Sequence, residues 1–125
     1  MDWMIRIGLI ELAVGGLLGW AMVLRQESPE LLRRIGVVAP QRIRQVHLDY
    51  IMMGLILIAV GLAVPDLPTA VSVPVVFGTI VNPFLFVPLA FDPDLVSRTW
   101  YQALAVVSFV SLSGGLVAVA IVGPS

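Results

Sequence analysis

Residues 4–24, 45–64, 69–91 and 100–122 form four stretches that are almost wholly apolar, and together they use up nearly all of the 125-residue chain. A helix that crosses a bilayer needs about 20 such residues. In lipid every backbone N–H and C=O must be satisfied within the protein, so stretches of this kind span as helices. The expectation is an all-α integral membrane four-helix bundle, a single membrane domain with both termini on the same side. Composition agrees, because 59% hydrophobic and 12% charged residues leave too little polar surface for a soluble domain of this size. The opening Met1-Asp2-Trp3-Met4-Ile5-Arg6 enters the first apolar stretch without a small-residue cleavage site, so that helix reads as retained, not as a cleaved leader.

Residues 25–44 are the only sizeable connection. Within them Ser28-Pro29-Glu30 reads as an N-cap, a proline at the first helical position and an acid in the first turn. A short amphipathic, interfacial helix ending near Gly36 follows, and Pro40 then starts a helix that runs from Arg42 through the second span. Pro65-Asp66-Leu67-Pro68 is so short that spans two and three must be antiparallel neighbours, and Asp92-Pro93-Asp94 opens the last connection as a turn. Arg25, Arg33, Arg34, Arg42 and Arg44 lie in the first connection and Arg98 in the third, against Arg6 alone on the other side. The positive-inside rule then places the first and third loops in the cytoplasm of a bacterial-type membrane and both termini outside. Cysteine is absent, so disulfides and thiolate metal sites are excluded. No nucleic-acid partner is expected; the partners are membrane lipid and a small apolar or aromatic molecule.

Polar groups inside lipid are costly, and each is a functional candidate. His47 is the only histidine and sits about a turn inside the second span, where a neutral, ligating imidazole is far cheaper than an imidazolium. An interfacial histidine bonded to a headgroup or a carbonyl is the competing reading. Helical spacing puts Tyr50, Ile51 and Gly54 on the His47 face, and Gly54 admits either a flat cofactor or a neighbouring backbone. Asp49 points away from His47 and is expected to pair with Arg42, Arg44 or Arg98. Glu11 lies at mid-depth in the first span on a stripe with Gly8, Gly15 and Gly19. It reads as a helix-packing acid that donates a hydrogen bond to another helix, or else as the proton or cation site of a small transporter. Pro83 cannot donate to the Thr79 carbonyl, so the third span should open beside Asn82, with a second break at Pro88. Gly78, Asn82 and Phe86 are then candidates for a pocket wall, while Ser108, Ser111 and Gly115 form a packing face on the fourth span.

The run Arg44-Gln45-Val46-His47-Leu48-Asp49-Tyr50-Ile51-Met52-Met53-Gly54, set in a four-helix plan with a long first loop, resembles the second-helix entry of the styrene oxide isomerase and hydroxylaminobenzene mutase family. The shared features are a His, a Gly seven residues later and, as in the mutases, an acid two residues after the His; Asn82 falls where the family carries an Asn on its third helix. The resemblance implies haem b with His47 as its axial iron ligand, a subunit-interface site in a homo-oligomer of the trimeric kind, and intramolecular rearrangement of an epoxide or aryl hydroxylamine with Asn82 and Tyr50 near the open iron face. Departures from the family are Met53 in place of an Asn, and Gly78 and Phe86 where an acid and a tyrosine stand. One histidine supplies one axial position and leaves the other open, as Lewis-acid chemistry requires. Phe84, Phe86, Tyr50 and Trp100 are expected to wall an apolar substrate site. Rival expectations are a proton-coupled multidrug-type transporter acting through Glu11, and a noncatalytic membrane subunit.

Overall fold

Six helices and one 3-10 turn make up the computed structural model, which describes residues 2–124; Met1, in the opening run considered above, lies outside the described residues. They are α1 (Asp2–Glu27), α2 (Pro29–Arg34), α3 (Gln41–Ala63), α4 (Thr69–Phe84), α5 (Phe86–Phe91) and α6 (Thr99–Val122), with the 3-10 turn over Pro93–Ser97. The expected all-α four-span plan is therefore present. Four helical segments, Trp3–Glu27, Gln41–Ala63, Thr69–Phe91 and Thr99–Val122, are long and apolar enough to cross a membrane.

The spans pack as a row. α1 lies along α3, α4 lies along α6, and α3 joins the two pairs through α4 and α5. Only 17% of the most apolar window of α1 and of α6 is buried, against 39% for each middle span, so the two flanking helices present apolar flanks that none of the described residues covers. Leu17, Trp20, Phe109 and Ile121 are among these exposed side chains. In water such surface would be strongly unfavourable; in lipid it carries no penalty.

Glycines set the close approach of α1 to α3. A Cβ on Gly54 would come within 2.6 Å of the Gly8 carbonyl oxygen, and one on Gly8 within 2.8 Å of the Gly54 carbonyl oxygen. Gly15 sits equally tightly against Ile51, at 2.7 Å from its Cγ1. On the other pair, Gly78 is filled by Leu112 of α6 and Gly115 by Val75 of α4. Met4, Met53, Leu57, Val75 and Leu112 form the central apolar cluster between these contacts.

The first connection folds as its punctuation indicates. Pro29 occupies the first turn of α2, Gly36 takes a positive φ of 101°, and Pro40 immediately precedes α3. Ser28 makes no side-chain capping bond, which departs from the expected N-cap. The loop is anchored instead by the Val38 and Ala39 amides, which both donate to the Ala90 carbonyl at 2.8 and 3.0 Å, and by packing of Leu32 and Val37 on Ala90. Asp92 accepts from the Asp94 amide at 3.2 Å, as its turn position suggests.

Proline acts differently from expectation in the third span. α4 runs through Pro74 and Pro83 to Phe84, and the Leu85 amide still donates to Val81 at 3.0 Å. The break falls at Leu85 because Pro88 lacks the N–H that would bond Phe84, and as a first-turn residue of α5 it needs no such bond.

Candidate functional site

His47 is held by α1. Its Nδ1 lies 2.5 Å from the Gly15 carbonyl oxygen, so the ring carries its proton on Nδ1 and donates it there. The seat is shaped by Gly19, where a Cβ would stand 3.4 Å from the ring Cε1. Among the described residues Nε2 has no protein partner. An imidazole whose Nδ1–H is tied to a backbone carbonyl has a fixed tautomer, a fixed ring orientation and a lone pair ready on Nε2. That is the state in which a histidine binds a metal. The carbonyl bond of the competing reading is the one present, and it leaves Nε2 as the nitrogen a ligand role would use.

The residues grouped with it by helical spacing diverge. Gly54 receives the α1 backbone, the second of its two expected uses. Tyr50, only 9% exposed, turns to α4 and donates its hydroxyl proton to the Ile80 carbonyl at 2.9 Å. Asn82 is not a free pocket wall either, because its Oδ1 accepts from Ser108 Oγ at 2.8 Å, linking α4 to α6. Gly78 is removed from any pocket by Leu112. The four expected wall aromatics do not converge: Phe84 and Trp100 are exposed, Trp100 meeting Tyr101 edge-on at 6.0 Å, while Phe86 and Tyr50 line different grooves.

Asp49 also departs from expectation. The one ion pair among the described residues is Arg33–Glu30 at 2.6 Å, so Asp49 has no arginine partner. It lines a shallow groove of about 270 Å³ with Gln45, Leu48, Met52 and Phe86.

Glu11 is 4% exposed, and neither carboxyl oxygen has a partner at full hydrogen-bond geometry; Thr79 of α4, on the expected side of an interhelical bond, stands beside it. Glu11 lines a cavity of about 290 Å³ together with Ile7, Ile10 and Val14 of α1, Tyr50 of α3 and Ile80 of α4. Thr79, fully buried beside the carboxyl, donates its own proton back to the Val76 carbonyl at 2.8 Å. Two further cavities lie toward the first connection: one of about 570 Å³ bordered by Arg25 and Arg33, and a wholly apolar one of about 270 Å³ between Leu18, Val46 and Phe91. His47 lines none of these four.

Two polar residues escaped the sequence reading. Thr79 looked like an ordinary helix residue, and Tyr101 lay beyond the apparent site. Tyr101 donates to the Leu85 carbonyl at 2.6 Å, at the break between α4 and α5. The Asn-Pro and second proline were the available signal that something must satisfy the backbone there.

Among the described residues no three His, Asp or Glu side chains gather to hold a metal ion. A haem iron asks for a single protein ligand, and His47 fits that role by its open Nε2 and its fixed orientation. Comparison with family models, with curated proteins and with solved structures finds no match for this chain.

Proposed function

We propose that this protein is a haem-binding membrane isomerase, with His47 as axial ligand and a small apolar epoxide or aryl hydroxylamine as substrate. The observation that carries the reading is the Nδ1–H donated from His47 to the Gly15 carbonyl, which leaves Nε2 as a preoriented ligand. The resemblance of the Arg44–Gly54 run supports it.

Held by His47, a haem would supply Lewis-acid chemistry suited to drawing electron density from a substrate oxygen. The chain's own contribution is positional. Gly15 fixes the imidazole tautomer and Gly19 leaves room for the ring edge. The apolar flank of α1 and α3 excludes water, and substrate arrives by partition into the bilayer. His47 lines none of the four cavities described above, so a cofactor held by it would need further walls, which a second copy of the chain would supply. A homo-oligomer, trimeric by resemblance, follows. Both termini face outward and the arginine-rich first loop faces the cytoplasm.

The test is product analysis with haem-loaded, detergent-purified protein given a styrene-type epoxide or phenylhydroxylamine. A rearranged isomer of unchanged mass, lost in His47→Ala, supports the assignment. Bound haem with no rearrangement of either class overturns the enzymatic part.

A further inference from the structure

The cavity around Glu11 has a chemical bias that is independent of His47. Its polar groups have spent their protons elsewhere. The Tyr50 hydroxyl donates to Ile80, and the Thr79 hydroxyl beside the carboxyl donates to Val76. What they leave toward Glu11 are oxygen lone pairs. The carboxyl itself has two oxygens without a partner at full hydrogen-bond geometry, at 4% exposure, a costly arrangement unless something supplies donors. Asp49 adds a second acid whose field reaches the same carboxyl, and no arginine is paired with either. The remaining lining is aliphatic: Ile7, Ile10, Val14 and Ile80. Ile10, Val14 and Ile80 are 56%, 39% and 41% exposed on the outer surface of the helices, so the cavity opens sideways toward lipid.

We propose that this cavity binds a small primary ammonium carried on an apolar body, entering from the bilayer, with Glu11 as its counter-ion and the Tyr50 hydroxyl oxygen as a further acceptor. Three N–H bonds match a site that offers only acceptors, and the aliphatic walls take the hydrocarbon. The pair is neutral as a whole whether the proton sits on the amine or on the carboxyl, so the complex brings no net charge into the membrane. A volume of about 290 Å³ suits a compact amine, including one on a small cage hydrocarbon. The amine is a free lipophilic molecule or the headgroup of phosphatidylethanolamine; both present the same ammonium.

The experiment is equilibrium dialysis of radiolabelled 1-aminoadamantane against the full chain in phosphatidylcholine nanodiscs, with protein-free nanodiscs of the same lipid as the partition baseline. Saturable binding above that baseline is expected, at least tenfold weaker in Glu11→Gln and in Val14→Trp, which plugs the lipid-facing mouth without touching the carboxyl. The N,N,N-trimethyl analogue, without N–H donors, should also bind at least tenfold more weakly. Repeating the assay in phosphatidylethanolamine nanodiscs separates the sources: competition by that lipid identifies the headgroup as occupant, and unchanged binding identifies a free amine. No saturable excess in the wild type, or equal affinity in Glu11→Gln, overturns the proposal. A melting temperature within a few degrees of wild type qualifies each variant, and Val14→Trp carries the test if Glu11→Gln fails to fold.

Discussion

The Nδ1 of His47 lies 2.5 Å from the carbonyl oxygen of Gly15, one helix away and 32 residues earlier in the chain. This bond selects the tautomer, fixes the ring plane and leaves Nε2 for a ligand. Gly19 is the other half of the seat. Gly19→Val should push the ring off Gly15 and lower haem occupancy severalfold, whereas Gly16→Val, where nothing lies within 4 Å, should leave occupancy unchanged. Haem-to-protein ratio after purification measures both.

Close packing between α1 and α3 makes a second prediction. Gly54→Ala places its Cβ 2.6 Å from a backbone oxygen, which cannot rotate away, so a loss of roughly 1–3 kcal/mol is expected. Gly114→Ala meets nothing within 4 Å and should be neutral or stabilising by up to about 1 kcal/mol, since glycine is the poorer helix former. Thermal unfolding in one detergent, followed by circular dichroism, gives the two signs.

How far the fold was legible follows from the same residues. The four spans were readable because bilayer thickness fixes their length, and the α2 helix because Pro29 and Glu30 mark its start. The break in the third span was misplaced to Pro83: α4 runs through that residue to Phe84, and the Leu85 amide still donates to Val81. Side-chain partners across helices were less legible. Tyr50 shares a face with His47 at three-residue spacing, but that spacing is about 60° off on a helix of 3.6 residues per turn, enough to aim one side chain at α4 and the other at α1. Asn82 gave no sign that Ser108, 26 residues on, would claim it.

The hydroxyl of Tyr101 satisfies the Leu85 carbonyl at the helix break. Tyr101→Phe keeps the ring and removes one of the bonds to the carbonyl that opens α5, at a cost of roughly 0.5–1.5 kcal/mol. The expected outcome is a lowered unfolding midpoint with the helical circular dichroism signal unchanged at low temperature.

Because the chain has no cysteine, single cysteines report topology cleanly. Asp66→Cys, between α3 and α4, should react with an impermeant maleimide on intact cells. Ser28→Cys should react only after the membrane is permeabilised. The reverse pattern would invert the orientation drawn from the arginines.

The most direct measurement is the absorption spectrum of detergent-purified protein expressed with added haem, ferric and dithionite-reduced, beside that of His47→Gly with and without free imidazole. A Soret band is expected in the wild type, with its loss in His47→Gly and its return when imidazole is supplied. A colourless wild type, or a Soret band that His47→Gly leaves unchanged, contradicts haem ligation by His47.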